Sequence, residues 1–452
     1  MVLTGFTHKA RELYDSYGGL LLLLACALLP LKLSLTYAVL LPLITLFLAS
    51  QHHRIVDIIS ECRSTTIPFI FFLISALFCG LFGFRPLGSG LEVLRLAFMA
   101  LLTLCTFDVL RSGKTISSLN GALRQNSGIC VCLLVLIGAQ TIAASYSIFE
   151  AASAGQLPHL FIGAVSESGQ LAIVLPLAMG LTLGSLSGSK DQSPIFIGFV
   201  LLAGALLFGF RSQILTNTGL ANLALLPFLA TLVLAVVKVA RSTERQSHLA
   251  VLMIGLPLLS AALILNLKRG PWLGVATAFL VLLWVFKRRL IAPILTIGAI
   301  IFICFPPIQN RLAVSEEHFF IAGGRSAIWQ IGADLASRYP LGIGFENSAV
   351  LRKFSDEVPP ELKHFHNNAL NILVETGLIG LLCFLWWITS LLRLSFKLSA
   401  KAKLIPLAVG TSILAWQTAG IVEYNFGDSE VLLIAFLAWG FLCAASNQPK
   451  VE

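Results

Sequence analysis

The sequence predicts an all-α polytopic membrane protein, and three observations carry that class. Hydrophobic residues make up 57% of the 452 positions and charged residues only 12%, against about 25% charged in a soluble domain. Apolar runs recur at lengths near the roughly 20 residues that a helix needs to cross a bilayer. Only one long hydrophilic stretch, residues 306–369, interrupts them.

In chain order the apolar runs predict helices at 18–31, 36–50, 67–84, 91–110, 128–149, 169–187, 194–210, 219–240, 247–266, 271–286, 290–305, 370–392, 404–422 and 430–446. The first two are short enough to form one re-entrant hairpin, so about 12–14 transmembrane helices are expected. No small-residue cleavage site follows the apolar Leu20 to Leu29, and the first span reads as a retained anchor. Neither an internal repeat nor a soluble domain stands out at either end. The chain therefore reads as one integral membrane domain, 1–452, with 306–369 as its single large loop.

Charge sets the expected orientation. The net charge of +9 would suggest nucleic acid in a soluble protein, but cytoplasmic loops of membrane proteins accumulate Lys and Arg. One set of alternate loops holds Lys9 and Arg11, Arg54 and Arg63, Arg111 and Lys114, Lys287 to Arg289, and Arg393 to Lys403. The opposite set includes 150–168 and 423–429, which carry acids and no Lys or Arg. Both termini are thus expected in the cytoplasm, and 306–369 on the outer face with Arg211, Lys268 and Arg269. Those external cations run against the charge bias, which points to a use other than topology.

The nine cysteines fall mostly inside apolar runs and show no metal-ligand spacing, so neither a zinc site nor a disulfide framework is expected. No carboxylate cluster suited to Mg²⁺ stands among the external residues.

The residues that suggest chemistry gather where the long loop meets the next apolar run. His366-Asn367-Asn368 stands at that junction, followed by Glu375, Gly377 and Gly380 inside the run. A neutral imidazole is the usual general base near neutral pH. Asn367 and Asn368 read as capping amides, and an intramembrane carboxylate such as Glu375 calls for a partner, here expected to be an arginine. His364 is the less specific neighbour. Within the loop, Arg325 to Arg338 reads as a helix with Ile328, Trp329, Ile331 and Leu335 on one side, stopped by Tyr339-Pro340. It would lie on the bilayer surface or cap the bundle. Leu341-Gly342-Ile343-Gly344-Phe345 then makes a glycine-rich turn.

The pattern His366-Asn-x-x-Leu-x-x-x-x-Glu375-x-Gly377-x-x-Gly380 resembles the signature of the O-antigen ligase superfamily of membrane glycosyltransferases. Arg269-Gly270-Pro271-Trp272-Leu273-Gly274 resembles its second motif, with Lys268 where a serine is frequent. Gly323-Gly324-Arg325 resembles a third. Ala164 to Ala172, with Glu167, is similar to a further segment, although Gln170 stands where asparagine is more usual. The likeness covers roughly 160–425, with its specific motifs between 267 and 380.

The resemblance implies a GT-C-like architecture in a bacterial inner membrane, with a metal-independent, inverting transfer of an oligosaccharide from undecaprenyl diphosphate to an acceptor hydroxyl. Lipid A-core oligosaccharide is the expected acceptor, as for an O-antigen ligase. A Wzy-type polymerase or a protein O-oligosaccharyltransferase would use the same groups on another acceptor. His366 is then the expected base, and Arg269, Arg325 and Arg211 the expected diphosphate ligands. Arginine suits that part because its planar fork donates two hydrogen bonds to phosphate and never deprotonates. Lys268, Asn367, Glu375 and Glu167 are expected in support. No cofactor and no nucleic-acid partner is expected. A lipid-linked oligosaccharide flippase is the alternative of another class, although transporters place their charges near the bilayer midplane in repeated halves.

Overall fold

The computed structural model describes residues 2–112, 128–154, 164–186, 193–209, 229, 232–233, 237, 244–304, 309, 324–353, 363–400 and 404–447. These form helices and their connections, with no strand among the described residues. The helices are α1 (Val2–Leu28), α2 (Leu33–Gln51), α3 (Ile55–Glu61), α4 (Arg63–Leu81), α5 (Pro86–Ser112), α6 (Gly128–Ala154), α7 (Ala164–Leu186) and α8 (Ser193–Gly209). They continue as α9 (Glu244–Leu265), α10 (Arg269–Lys287), α11 (Ile291–Cys304), α12 (Arg325–Arg338), α13 (Asn368–Ser399), α14 (Leu404–Ala419) and α15 (Ser429–Ser446).

Seven stretches are long and apolar enough to cross a membrane: Leu33–Glu61, Arg63–Leu81, Pro86–Ser112, Gly128–Ala152, Val165–Gly184, Asn368–Ser399 and Ser429–Ser446. Val200–Gly209, Met253–Leu265 and Leu404–Ala419 are shorter apolar helices. Among the described residues this is fewer than the 12–14 spans read from apolar runs. Part of the difference is that the expected span 219–240 lies outside the described residues. The expected 18–31 is only the apolar end of α1, which begins at Val2 because His8, Lys9, Arg11 and Glu12 do not interrupt a helix. That polar start is invisible to a search for apolar runs.

Packing around α13 and α14 positions the site. α13 lies against α4 and α14, and α14 lies against α7 and α10. Inside a bilayer the apolar effect does not drive helices together, so small residues and close contact must do so. Gly270 and Gly274 on α10 face α14 in this way: a Cβ on Gly270 would meet Ala419 O at 3.0 Å, and one on Gly274 would overlap Ala415 O. The two glycines of the arginine motif therefore let helices approach. Where α4, α13, α14 and α15 meet, Phe69, Trp387, Trp416, Phe436 and Trp439 interlock, with Phe69 and Trp387 rings 4.7 Å apart. The buried Trp439 indole donates to Thr65 Oγ1 at 2.9 Å. Leu378, Ile379, Leu382 and Trp386 on the opposite side of α13 are exposed, as a lipid-facing surface should be.

α12 has the bounds its sequence predicts and caps the bundle. Ile328 and Leu335 form a second small core with Ile343, Phe365 and Val374, while Trp329 and Ile331 pack at its edge. Gly332 lets Leu370 and Phe365 come close beneath it.

Candidate active site

The start of α13 is assembled from amides. Asn367 is the N-cap: its Oδ1 accepts the Leu370 N–H at 2.9 Å, and its Nδ2 donates to Ile421 O at 2.9 Å. Asn368 is no cap. It clasps the turn after α14, donating through Nδ2 to Asn425 Oδ1 (2.7 Å) and accepting the Asn425 and Phe426 N–H groups at Oδ1 (3.1 and 3.2 Å). One turn on, Asn371 Oδ1 accepts the Phe365 N–H at 3.1 Å, and the Trp329 indole donates to Phe365 O at 2.9 Å.

These bonds fix the chain on both sides of His366, whose φ of 51° puts it in the left-handed region. For a residue with a Cβ that conformation costs roughly 1–2 kcal/mol. Leu267 (φ 54°) and Glu346 (φ 55°) share it, and among the described residues no other non-glycine does. One precedes the Lys268-Arg269 pair and the other closes the glycine-rich turn, so all three strained positions lie at segments that carry candidate site residues. Backbone strain tends to gather where surrounding structure over-determines a functional geometry.

His366 is half-buried, with its ring edge-on to His364 at a centroid distance of 4.4 Å. Burial lowers its pKa to about 3, helped by His364, Arg325 and Lys268. The imidazole is therefore neutral across the physiological range and keeps an acceptor nitrogen. That electrostatic coupling also shows which predicted residues come together: Lys268, Arg325 and His366 occupy one end of the bundle. Lys268 is the N-cap of α10 and Arg269 its first residue, with Gly270 and Pro271 in the first turn, the end of a helix that favours anions. Arg325 begins α12 and sits 3.8 Å from Glu423 in the turn after α14.

The second half of the motif has another kind of geometry. Gly377, with φ 67° and ψ −174°, breaks the helical path inside α13. The carbonyls released there find outside donors: Val374 O takes the Ile343 N–H (2.9 Å), Glu375 O the Gly344 N–H (3.0 Å) and Thr376 O the Cys79 thiol (3.1 Å). Gly342 and Gly344, also at positive φ (90° and 102°), let the turn dock against this break. A Cβ on Gly342 would lie 2.7 Å from the Glu375 carbonyl carbon. Glu375 is fully buried and accepts from both the N–H and the hydroxyl of Ser348. The arginine partner expected from the sequence is not what it has. Ser348 reaches it because the docked turn folds back over α13.

A further network was missed by sequence reasoning. The Tyr424 hydroxyl donates to Glu346 Oε1 at 3.0 Å, Arg95 Nη2 stands 3.7 Å from the same oxygen, and the Tyr424 ring lies 5.2 Å from His364. Burial raises the Glu346 carboxyl pKa against the pull of Arg95 and Tyr424, and burial lowers that of His364. The sequence signal for it is the acidic, Lys- and Arg-free segment 423–429.

Glu167 is not brought to this cluster. It is buried in α7 and accepts from Ser147 of α6 at 2.5 Å, while the next residue, Ser168, lines a small cleft with Pro271, Glu423, Tyr424 and Asp428. Arg211 lies outside the described residues. No group of three or more His, Cys, Asp or Glu that could hold a metal occurs among the described residues.

With this geometry in view, one comparison bears on the class. Residues 250–385 match the O-antigen ligase family, Wzy_C. No curated protein matches the chain. The matched segment spans under a third of the chain, yet it contains Lys268, Arg269, Arg325, His366, Glu375 and Gly377. Members of that family are O-antigen ligase- or polymerase-type membrane glycosyltransferases, whose substrates are lipid-linked glycans. The all-helical, multi-pass fold agrees with that class.

Proposed function

We propose that this protein transfers a glycan from undecaprenyl diphosphate to an acceptor hydroxyl on the outer face of a bacterial inner membrane, and that the acceptor is lipid A-core oligosaccharide. The observation that carries the reading is the neutral His366 coupled to Lys268 and Arg325, with Arg269 adjoining, inside the segment that matches the family. In this reading the acceptor oxygen attacks the anomeric carbon, its proton passes to His366, and the bond to the diphosphate oxygen breaks with inversion. Arg269, Arg325 and Lys268 bear the charge that develops on the leaving diphosphate, a stabilisation that acts most strongly in the transition state. Asn367 holds the loop–helix junction, and Glu375 holds the turn that packs beneath it.

The low pKa of His366 gains a purpose here. Before the donor binds, burial, helped by His364 and the cations, makes the imidazole a weak base. A bound diphosphate offsets Lys268 and Arg325 and so raises its basicity where the acceptor needs it.

The test is reconstitution in proteoliposomes with undecaprenyl diphosphate-linked glycan and three acceptors: lipid A-core, a second lipid-linked glycan and an acceptor protein. Transfer to lipid A-core is expected. Elongated lipid-linked glycan or glycoprotein as the sole product would make the protein a polymerase or an oligosaccharyltransferase instead. In the same assay Arg269→Lys loses the bidentate fork and Arg325→Ala loses charge and fork, each lowering the rate about 10²–10³-fold. Wild-type rates in both variants, at equal protein, would sink the diphosphate assignment.

A further inference from the structure

We infer that Glu423 is a further residue of the donor site: a built-in counter-ion that neutralises part of the cation cluster before the donor binds and that the carrier diphosphate displaces. The inference rests on the reading of Lys268, Arg269 and Arg325 as diphosphate ligands.

Three observations carry it. Glu423 Oε1 lies 3.8 Å from Arg325 Nη2, and both side chains are mostly shielded, at 18% and 22% exposure. The stem of Glu423 packs on the first turn of α10: a Cβ on Gly270, the residue after Arg269, would fall 2.5 Å from Glu423 Cγ. Glu423 therefore bridges the two helix starts that carry the candidate arginines. The turn that holds it is clasped by Asn368, two residues from His366, through bonds to Asn425 and Phe426. Of the charged and titratable groups nearby, Arg325 pairs with Glu423, and Tyr424 and Asp428 line one small cleft with it.

A single carboxylate offers one negative charge and two oxygens on a short tether. A diphosphate brings more charge and more oxygens, so it can take Arg325 from Glu423, whereas a monoester phosphate competes on poorer terms. After transfer the carboxylate remains beside the arginine and competes with the leaving diphosphate, which speeds its release. If Glu423 instead only props Arg325 in place, its removal would weaken anion binding. The two roles thus predict opposite signs.

The experiment measures binding of inorganic pyrophosphate and of inorganic phosphate to the purified full-length protein in detergent, at fixed ionic strength, by calorimetry. Glu423→Gln keeps the shape and removes the charge. It should bind pyrophosphate roughly three- to tenfold more tightly than wild type, as expected for loss of one partly shielded ion pair. Phosphate binding should tighten at least as much, which narrows the preference for pyrophosphate. Glu423→Asp draws the carboxylate back by one methylene and should give a smaller tightening, which provides a second reading should Glu423→Gln fold poorly. Unchanged or weaker pyrophosphate binding in the folded variants, with Arg325→Ala still binding more weakly than wild type, overturns the role of Glu423 alone. If Arg325→Ala binds as wild type does, the diphosphate reading itself falls and this inference falls with it.

Discussion

The two halves of the segment from His366 to Gly380 share one helix and do opposite things. At its start, Asn367, Asn368 and the Asn371 carbonyl oxygen bond to nearby backbone and to Asn425, and the result is a half-buried imidazole held beside cations. Two turns further in, Glu375 and Gly377 are buried: Glu375 accepts from Gly344 and Ser348, and Gly377 lies against Pro340 and Leu341. The first half presents the candidate base, and the second builds the seat on which the presenting loop rests. A motif that reads as one functional unit along the chain thus divides into chemistry and architecture in space. Substitutions in the two halves should separate on different measurements.

The largest effect is expected at His366. His366→Ala should lower transfer about 10²–10⁴-fold, the usual contribution of a general base, while the amount of folded protein and the binding of donor stay near wild type. His364→Ala should leave most of the rate. If His364→Ala alone removes activity without loss of folding, the roles of the two histidines are reversed.

Gly377→Ala should act the other way round. Its Cβ would overlap Pro340 O and stand 2.8 Å from the Leu341 carbonyl carbon, at a φ that L residues rarely adopt. A loss of about 3–5 kcal/mol is expected from the strain and the undocking of the turn, read as a lower thermal midpoint in detergent and lower membrane abundance. Activity per folded molecule should fall less than abundance does. A stable but inactive Gly377→Ala protein would merge the two halves again.

Glu375→Ala is the milder probe of the same half. It strands the buried Ser348 N–H and hydroxyl, which costs about 1–3 kcal/mol, and should raise susceptibility to proteolysis in the turn before it affects transfer. A primary loss of catalytic rate at unchanged stability would show that this carboxylate does more than hold the turn.

The smallest effect is in pH dependence. With its folded pKa lowered to about 3, His366 stays neutral well below pH 6.5, so kcat/KM should hold on the acid side past the range of an ordinary histidine. The kcat profile should fall at higher pH than that of kcat/KM, because bound diphosphate offsets the cations. The same shift bears on stability. The unfolded histidine takes up a proton near 6.5 and the folded one near 3, so this contribution is complete above 6.5 and is lost progressively as pH falls between the two. Coincident acid limbs near 6.5 would show that neither burial nor the cations lower the pKa of His366.

Much of this was legible from residue order. Arg325 to Arg338 could be read as a helix because its apolar residues recur on one side and Tyr339-Pro340 ends it. The junction at His366 could be read because polar and apolar composition changes there. What could not be read was anything that depended on a distant segment folding back. Ser348 is 27 positions from Glu375, and no periodicity links them. Gly377 looked only like an unusual residue in an apolar run, since a left-handed backbone leaves no mark on composition. Glu423 reads along the chain only as part of an acidic segment free of Lys and Arg, because its neighbours Arg325 and Gly270 come from two other helices.

The left-handed backbone at His366 has an evolutionary corollary. Glycine is the residue that conformation favours, so drift toward stability at this position runs directly toward loss of the imidazole. A histidine that persists there marks a standing trade of robustness against reactivity. Related chains in which this position has relaxed to glycine are then the ones to suspect of having kept the scaffold and given up the reaction.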